Sequence, residues 1–411
     1  MGSGKKLINV LYISMVLPYH DVASGGGKTF YHYIKGIQDA PDFHVTLLAK
    51  QLPGETFDSV NLNKADFHAL TNPELSIKAP WLAVSELWSK LNPFRKYGNT
   101  LRESIYRQIR KYLRAMTPME VDVIVLEFTE MVLMAPEIKK MFPGAVIFAS
   151  EHDVTFLGQQ RAYETAKNYL RKLLLSVRYK VRKKNELYAL RYCDVVMPHN
   201  PKDQKMLTDN GVPKEKTFVL TPYFYSKPVL RQVSGRDILF YGAMGRAENC
   251  EAVLWFLDRV MPRLSDLDVR FVVLGANPRQ CILDRQSENV IVTGFVEDIS
   301  PYFETCMCMV VPLQNGAGIK IKVLEALAAG IPVLTNQIGI EGIAARAGQE
   351  YLHCELPEEY ERDIRAMLDG SMDLQEMSSN AVKFMRENYN LEQALEDYKH
   401  CMRETVLNKS I

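Results

Sequence analysis

Short β-rich apolar runs alternate along the chain with stretches whose apolar residues recur every three or four positions. In the first half the runs are Leu7 to Ser14, Phe43 to Lys50, Val121 to Phe128, Ala145 to Ser150 and Asp194 to Pro198. A polar, proline-containing passage from Ser226 to Arg236 interrupts them. The rhythm then restarts with Ile238 to Tyr241, Val269 to Leu274, Val290 to Val292, Met307 to Val311 and Pro332 to Thr335. Near-continuous apolar strands spaced by helical segments predict an α/β fold of parallel sheets covered on both faces, and the restart predicts two of them. A length of 411 residues agrees, because a single core stops growing at roughly 250 to 300. The expected division is 1–228 and 229–390, followed by a terminal helix in 391–411. In that helix Leu391, Ala394, Leu395, Tyr398 and Met402 share one face and must pack. Ligands of open parallel sheets sit beyond the carboxyl ends of the strands, so those loops are where chemistry is expected.

Composition narrows the class. Apolar residues make up 47% and charged residues 24%, and no apolar stretch approaches the roughly 18 residues of a membrane helix. Neither a disordered nor a membrane-spanning chain is expected. The net charge of +1 conceals an asymmetry: residues 1–225 hold 31 basic and 22 acidic side chains, and 226–411 hold 19 and 27. Two segments concentrate the excess. Residues 88–115 carry eight Lys and Arg against Glu103 alone, with Trp88, Phe94 and Tyr97 interleaved, and 156–193 carry ten basic residues against two acidic. Basic helices bearing aromatics suit an anionic membrane surface or a phosphorylated acceptor, and a solvated helix face accounts for them equally well. A nucleic-acid partner is not expected at this overall charge without a recognisable reading module. Seven cysteines, all beyond position 192 and without zinc-type pairing, read as reduced thiols, and the start of the chain carries no secretion pattern, so a cytoplasmic location is expected.

Two glycine clusters stand at the strand ends. Ser24-Gly25-Gly26-Gly27-Lys28-Thr29 follows the first strand and opens a helical pattern through Phe30, Ile34 and Ile37. Bare amides at a helix N-terminus bind phosphate, although a plain turn fits the residues too. A P-loop would need glycine where Val22 stands, and no GxGxxG spacing occurs. The second cluster runs Pro312-Leu313-Gln314-Asn315-Gly316-Ala317-Gly318-Ile319-Lys320-Ile321-Lys322-Val323-Leu324-Glu325-Ala326, closed by Gly330-Ile331-Pro332-Val333. Its glycines admit a diphosphate, Lys320 offers a counter-charge, and Glu325 can accept hydrogen bonds from ribose hydroxyls. His152, between Glu151 and Asp153 after a strand, is either a sugar-facing histidine or one capped by its acidic neighbours with a raised pKa. Glu127 and Glu130, near another strand end, leave a two-carboxylate hydrolase open as a minor reading.

The second cluster resembles the donor-binding signature of the retaining nucleotide-sugar glycosyltransferases of glycosyltransferase family 4. Further segments resemble that family in order: the early glycine loop, Glu151-His152-Asp153, Phe240-Tyr241-Gly242-Ala243-Met244, Leu274-Gly275-Ala276-Asn277-Pro278 and Val292-Thr293-Gly294-Phe295-Val296. The resemblance covers nearly the whole chain. It implies a GT-B architecture of two Rossmann-like domains, an N-terminal one for the acceptor and a C-terminal one for the sugar nucleotide, with the last helix crossing back to the first. It implies catalysis at His152, ribose at Glu325, base at Phe295 and Val296, and diphosphate at Gly318, Ile319 and Lys320, approached also by Gly26 and Gly27. It further implies transfer with retention to a glycan, glycolipid or protein acceptor, with no cofactor and no metal.

Two positions depart from the family pattern. Ala317 stands where a Glu usually touches the donor sugar, and Gly242 is followed by Ala243 where an Arg and a Lys often follow. Phosphate charge is then expected from Lys320 or Arg246. Rival readings are a sugar-nucleotide epimerase, distinguished by its independence of acceptor, and a non-catalytic partner subunit, raised by Ala317.

Overall fold

The computed structural model describes residues 7–19, 25–52, 66–71, 103–117, 120–166, 168–224, 235–316 and 318–409. Residues 88–102 of the first basic segment, Ala317 and the expected boundary at 228 lie outside the described residues. The chain forms two compact units, Met1–Tyr223 with Leu391–Ile411, and Phe224–Asn390.

Unit 1 contains β1 (Ile8–Ser14), β2 (Phe43–Lys50), β3 (Phe67–Leu70), β4 (Val123–Glu127), β5 (Val146–Glu151) and β6 (Val195–Pro198), all parallel, in the order β3-β2-β1-β4-β5-β6. Successive side chains of a strand point to opposite faces, and here both faces are covered. Leu11 and Ile13 join one core cluster with Ile124, Leu126 and Ile147. Val10 and Tyr12 join the other with Val123, Val125, Phe30, Ile34 and Ile37. The helix Leu391–Lys409 closes that second face. Tyr398 packs edge-on against Tyr33 at 5.3 Å and its hydroxyl lies 3.1 Å from that of Tyr12, while Arg403 grips Asp42 through two bonds of 2.8 and 3.0 Å.

Unit 2 contains β7 (Asp237–Tyr241), β8 (Arg270–Leu274), β9 (Val290–Gly294), β10 (Cys308–Val311), β11 (Val333–Thr335) and β12 (Leu352–His353), in the order β12-β11-β10-β7-β8-β9, again all parallel. From the opposite edge this is the same winding as unit 1. In each unit the order reverses between the first and fourth strands, so the helices after them leave on opposite sides and open a crevice at the carboxyl edge. That places the candidate chemistry beyond β1 and β4, and beyond β7 and β10.

Candidate functional site

In unit 1 the register pairs Glu127 of β4 with Ser14 on one side and Ser150 on the other. His152, two residues past Ser150, therefore comes alongside Glu127, with Nε2 2.9 Å from Oε2. The imidazole is stacked on Phe128 at 4.1 Å and tilted against His199 at 4.2 Å. The His152 side chain is 9% exposed and that of Glu127 3%. Burial pushes the Glu127 carboxyl up to about 8 and the His152 imidazole down to about 3. Burial and the neighbouring His152 hold His199 well below its usual range as well. Near neutral pH the pair is therefore uncharged: protonated Glu127 donates to Nε2, and the ring hydrogen sits on Nδ1. Nδ1 is buried without a hydrogen-bond partner among the described residues. It faces Gly26, where a Cβ would lie 3.0 Å from Nδ1 and 3.0 Å from Phe128 Cε1. Gly26 and Gly27 form the first turn of the helix Gly25–Gln38, the end that attracts anions. Phe128 has φ +70°, a conformation that costs a non-glycine residue about 1 to 3 kcal/mol, and the strained residue is the one that lays its ring on His152.

The expectation of a histidine capped by acidic sequence neighbours, with a raised pKa, is thus corrected. The partner is Glu127 on the adjacent strand, and burial lowers the imidazole. Glu151 instead turns inward and accepts a bond from Thr129 Oγ1. Glu127 is committed to His152 rather than to a second carboxylate.

In unit 2 the loops after β7 and β8 are zipped together, Gly242 N donating to Leu274 O at 3.0 Å and Met244 N to Ala276 O at 2.8 Å. A Cβ on Gly275, at φ +146°, would lie 1.8 Å from Gly242 O, and one on Gly242, at φ +154°, would lie 2.7 Å from Lys322 Nζ. The space beside Gly275 is taken by the Gly242 backbone, and that beside Gly242 is filled by Lys322. Its amine donates to Asn249 Oδ1 at 2.7 Å and lies 4.4 Å from the centre of the Phe240 ring. Loss of solvation, then the charges of Arg246 and Lys320, bring Lys322 down to about 7 against the pull of Glu248 and Glu325.

Lys320 is the N-cap residue of the helix Ile321–Ala328. Its amine donates to Gly318 O and lies 3.9 Å from Glu341 Oε2. Gly318 is buried at φ +70°, and Ile319 is half-buried beside it. Glu325 is buried in the same helix, and burial together with its carboxylate pushes the Tyr241 phenol above its usual range. Gly318, Ile319, Lys320, Lys322 and Glu325 thus share the junction after β10. Arg246, exposed and paired with Glu248, is the N-cap residue of the helix Ala247–Arg259 that follows β7. Phe295, 75% exposed, and half-buried Val296 follow β9, two strands from β7. Two lysines around a helix N-terminus are fitted to an oxyanion, and a buried carboxylate to hydroxyl donors. Reasoning from the sequence missed Lys322, and it missed Glu127 as the partner of His152.

Residues 235–370 match the family model of glycosyl transferases group 1. The chain is similar to an uncharacterized 44.6 kDa protein in the cps region of Klebsiella pneumoniae, 24% identical over 183 residues that make up 42% of this chain and 46% of that one, so it matches under half of that relative's length. Sucrose-phosphate synthase from Thermosynechococcus elongatus superposes with a TM-score of 0.68 at 14% identity, over 97% of this chain and 98% of the other. HepE from Anabaena, solved in complex with UDP, gives 0.65 at 12% identity over 97% and 100%. The structural likenesses, at 14% identity or less, show the GT-B fold, and the family match lies within unit 2.

Proposed function

We propose that the chain is a retaining glycosyltransferase, moving a sugar from a nucleoside-diphosphate donor to an acceptor hydroxyl in glycan or glycolipid assembly. The observation that carries this reading is the junction after β10, where Lys320 and Lys322 converge on a helix N-terminus and buried Glu325 follows. In this reading the lysines and the amides of Gly318 and Ile319 hold the diphosphate, Glu325 takes the ribose, and Phe295 and Val296 flank the base. Lys322, held near 7, takes up a proton as the anion arrives, so positive charge appears where the leaving group needs it. Arg246 adds charge at the rim. His152 offers Nδ1–H to a sugar hydroxyl, and the first-turn amides of Gly26 and Gly27 take an anionic oxygen. The acceptor oxygen attacks the anomeric carbon from the side the diphosphate leaves, and its proton passes to the departing phosphate oxygen. Positive charge from lysines and a helix terminus stands in this account where other transferases use a metal.

HepE was solved with UDP, which makes UDP-sugars the first donors to try. The test is release of free UDP on addition of glycan and glycolipid acceptors, with the anomeric configuration of the product read by proton NMR. Acceptor-dependent release with the donor's configuration kept is the expected result. An inverted product removes retention, and conversion of the donor without acceptor makes the chain an epimerase.

A further inference from the structure

The helix Tyr169–Leu190 carries seven Lys and Arg residues and one acid, Glu186. Its inner side is defined by the buried residues Glu186, Ala189 and Leu190. Thr155 donates to Glu186 through both its backbone N–H and its hydroxyl, and accepts from Arg182, which ties the helix to the neighbouring helix Thr155–Thr165. At 100° per residue, positions 169, 170, 173 and 174 lie on the opposite side, and 188 returns to the line of 170 after five turns. These outward residues are apolar: Tyr169, Leu170, Leu173, Leu174 and Tyr188 are 42% to 79% exposed. They are half of the ten large hydrophobic residues exposed among the described residues. Exposed Lys180 and Lys184 interrupt the strip, and at the start of the helix Arg171 and Lys172 are exposed on its other side.

We propose that this face is a docking surface for an anionic lipid bilayer, with Leu170, Leu173 and Leu174 entering the acyl boundary, the tyrosines at headgroup depth and the cations on the lipid phosphates. A clustered apolar strip rimmed by charge marks an interaction site, and this combination of leucines, tyrosines and lysines is the one that lies in a membrane interface. Charge decides among occupants. A second copy of the chain, related by a twofold axis, sets cation against cation, whereas an anionic surface satisfies all of them at once. No described helix is long and apolar enough to cross a membrane, so the contact is peripheral. The inference is independent of the reading of the sugar-nucleotide site.

The experiment is co-sedimentation of the full chain with phosphatidylglycerol–phosphatidylcholine vesicles and with pure phosphatidylcholine vesicles. Binding to the anionic vesicles is expected to be about tenfold stronger or more and to weaken with salt. The exposed triple variant Leu170→Ser, Leu173→Ser, Leu174→Ser and the charge variant Lys180→Glu, Lys184→Glu are each expected to lose it with an unchanged melting temperature. The second variant keeps the test decisive if the first misfolds. Absence of binding to anionic vesicles overturns the proposal, as does binding unaffected by both variants. A dimer in solution that the leucine variant dissolves overturns it in favour of a second copy.

Discussion

Beyond β1 and β4, unit 1 holds an uncharged Glu127–His152 pair closed in by two rings, while the equivalent crevice of unit 2, beyond β7 and β10, holds two lysines under a glycine loop. The winding of the two sheets is the same. Their bulk charges run the other way: unit 1 has 34 basic and 26 acidic residues, and unit 2 has 16 and 23. The cationic site thus sits in the acidic unit. Bulk charge describes surfaces, such as the basic helix Tyr169–Leu190 in unit 1 or the pairs Arg263–Glu358 and Arg365–Asp266 in unit 2. The charge of a site is set by burial and by which side chain the local backbone admits.

The sharpest way to break this contrast is to remove the room made by glycine. Gly275→Ala drives a methyl group against the Gly242 carbonyl and requires the loops after β7 and β8 to part, so unit 2 should lose about 3 kcal/mol or more in a denaturant titration. A near-neutral variant would show that the loops are not locked together.

Next is Lys322→Met, which keeps the bulk and removes the amine. Donor binding should weaken by about 1 to 3 kcal/mol, read by calorimetry. At pH 8 the wild-type chain should take up close to one proton on binding a nucleoside diphosphate, since Lys322 is largely neutral above about 7 when free and charges beside the anion. The sign for stability is the reverse. With its pKa lowered from 10.5, Lys322 contributes fully above 10.5 and loses that contribution as pH falls toward 7.

Glu127→Gln probes unit 1. A carboxyl raised from 4.5 to about 8 contributes stability that is complete below 4.5 and lost as pH rises to about 8. His152 acts only below 6.5, where stability falls as pH drops toward 3. Between 6.5 and 8 the wild-type chain should therefore lose up to about 1.4 kcal/mol per pH unit from Glu127, and the glutamine, which still donates to Nε2, should flatten that slope. A slope that persists removes the protonated-Glu127 assignment. The smallest effect on stability is Gly26→Ala, within about 1 kcal/mol because the helix gains propensity. It presses on Phe128 and His152, so the transfer rate should fall on the order of tenfold or more.

Ten of the twelve strands among the described residues could be read from apolar runs. β3 and β12 could not: Phe67-His68-Ala69-Leu70 has two exposed central residues, and β12 is two residues long at a sheet edge. Lys320 and Glu325 were legible as candidates because glycine turn, cap and helix are contiguous. Lys322 was not, since Ile-Lys-Ile-Lys reads as an alternating surface, and its burial depends on Phe240, Gly242 and Asn249, more than 70 residues away. The Glu127–His152 pair is a product of β4–β5 register. Leu170, Leu173 and Leu174 resemble core positions in sequence, and only the packing of Glu186, Ala189 and Leu190 turns them outward.

The central claim is that unit 2 recognises a diphosphate through its two lysines. The most direct measurement is thermal stabilisation of the wild-type chain and of Lys322→Met by UDP, GDP and ADP, their sugars, and the matching monophosphates UMP, GMP and AMP, with chelator present. One diphosphate and its sugar should stabilise the wild-type chain by about 2.7 kcal/mol at a hundredfold excess over Kd, the monophosphate much less, and the variant hardly at all. Equal stabilisation by monophosphate and diphosphate, or none from any nucleotide, would contradict the account.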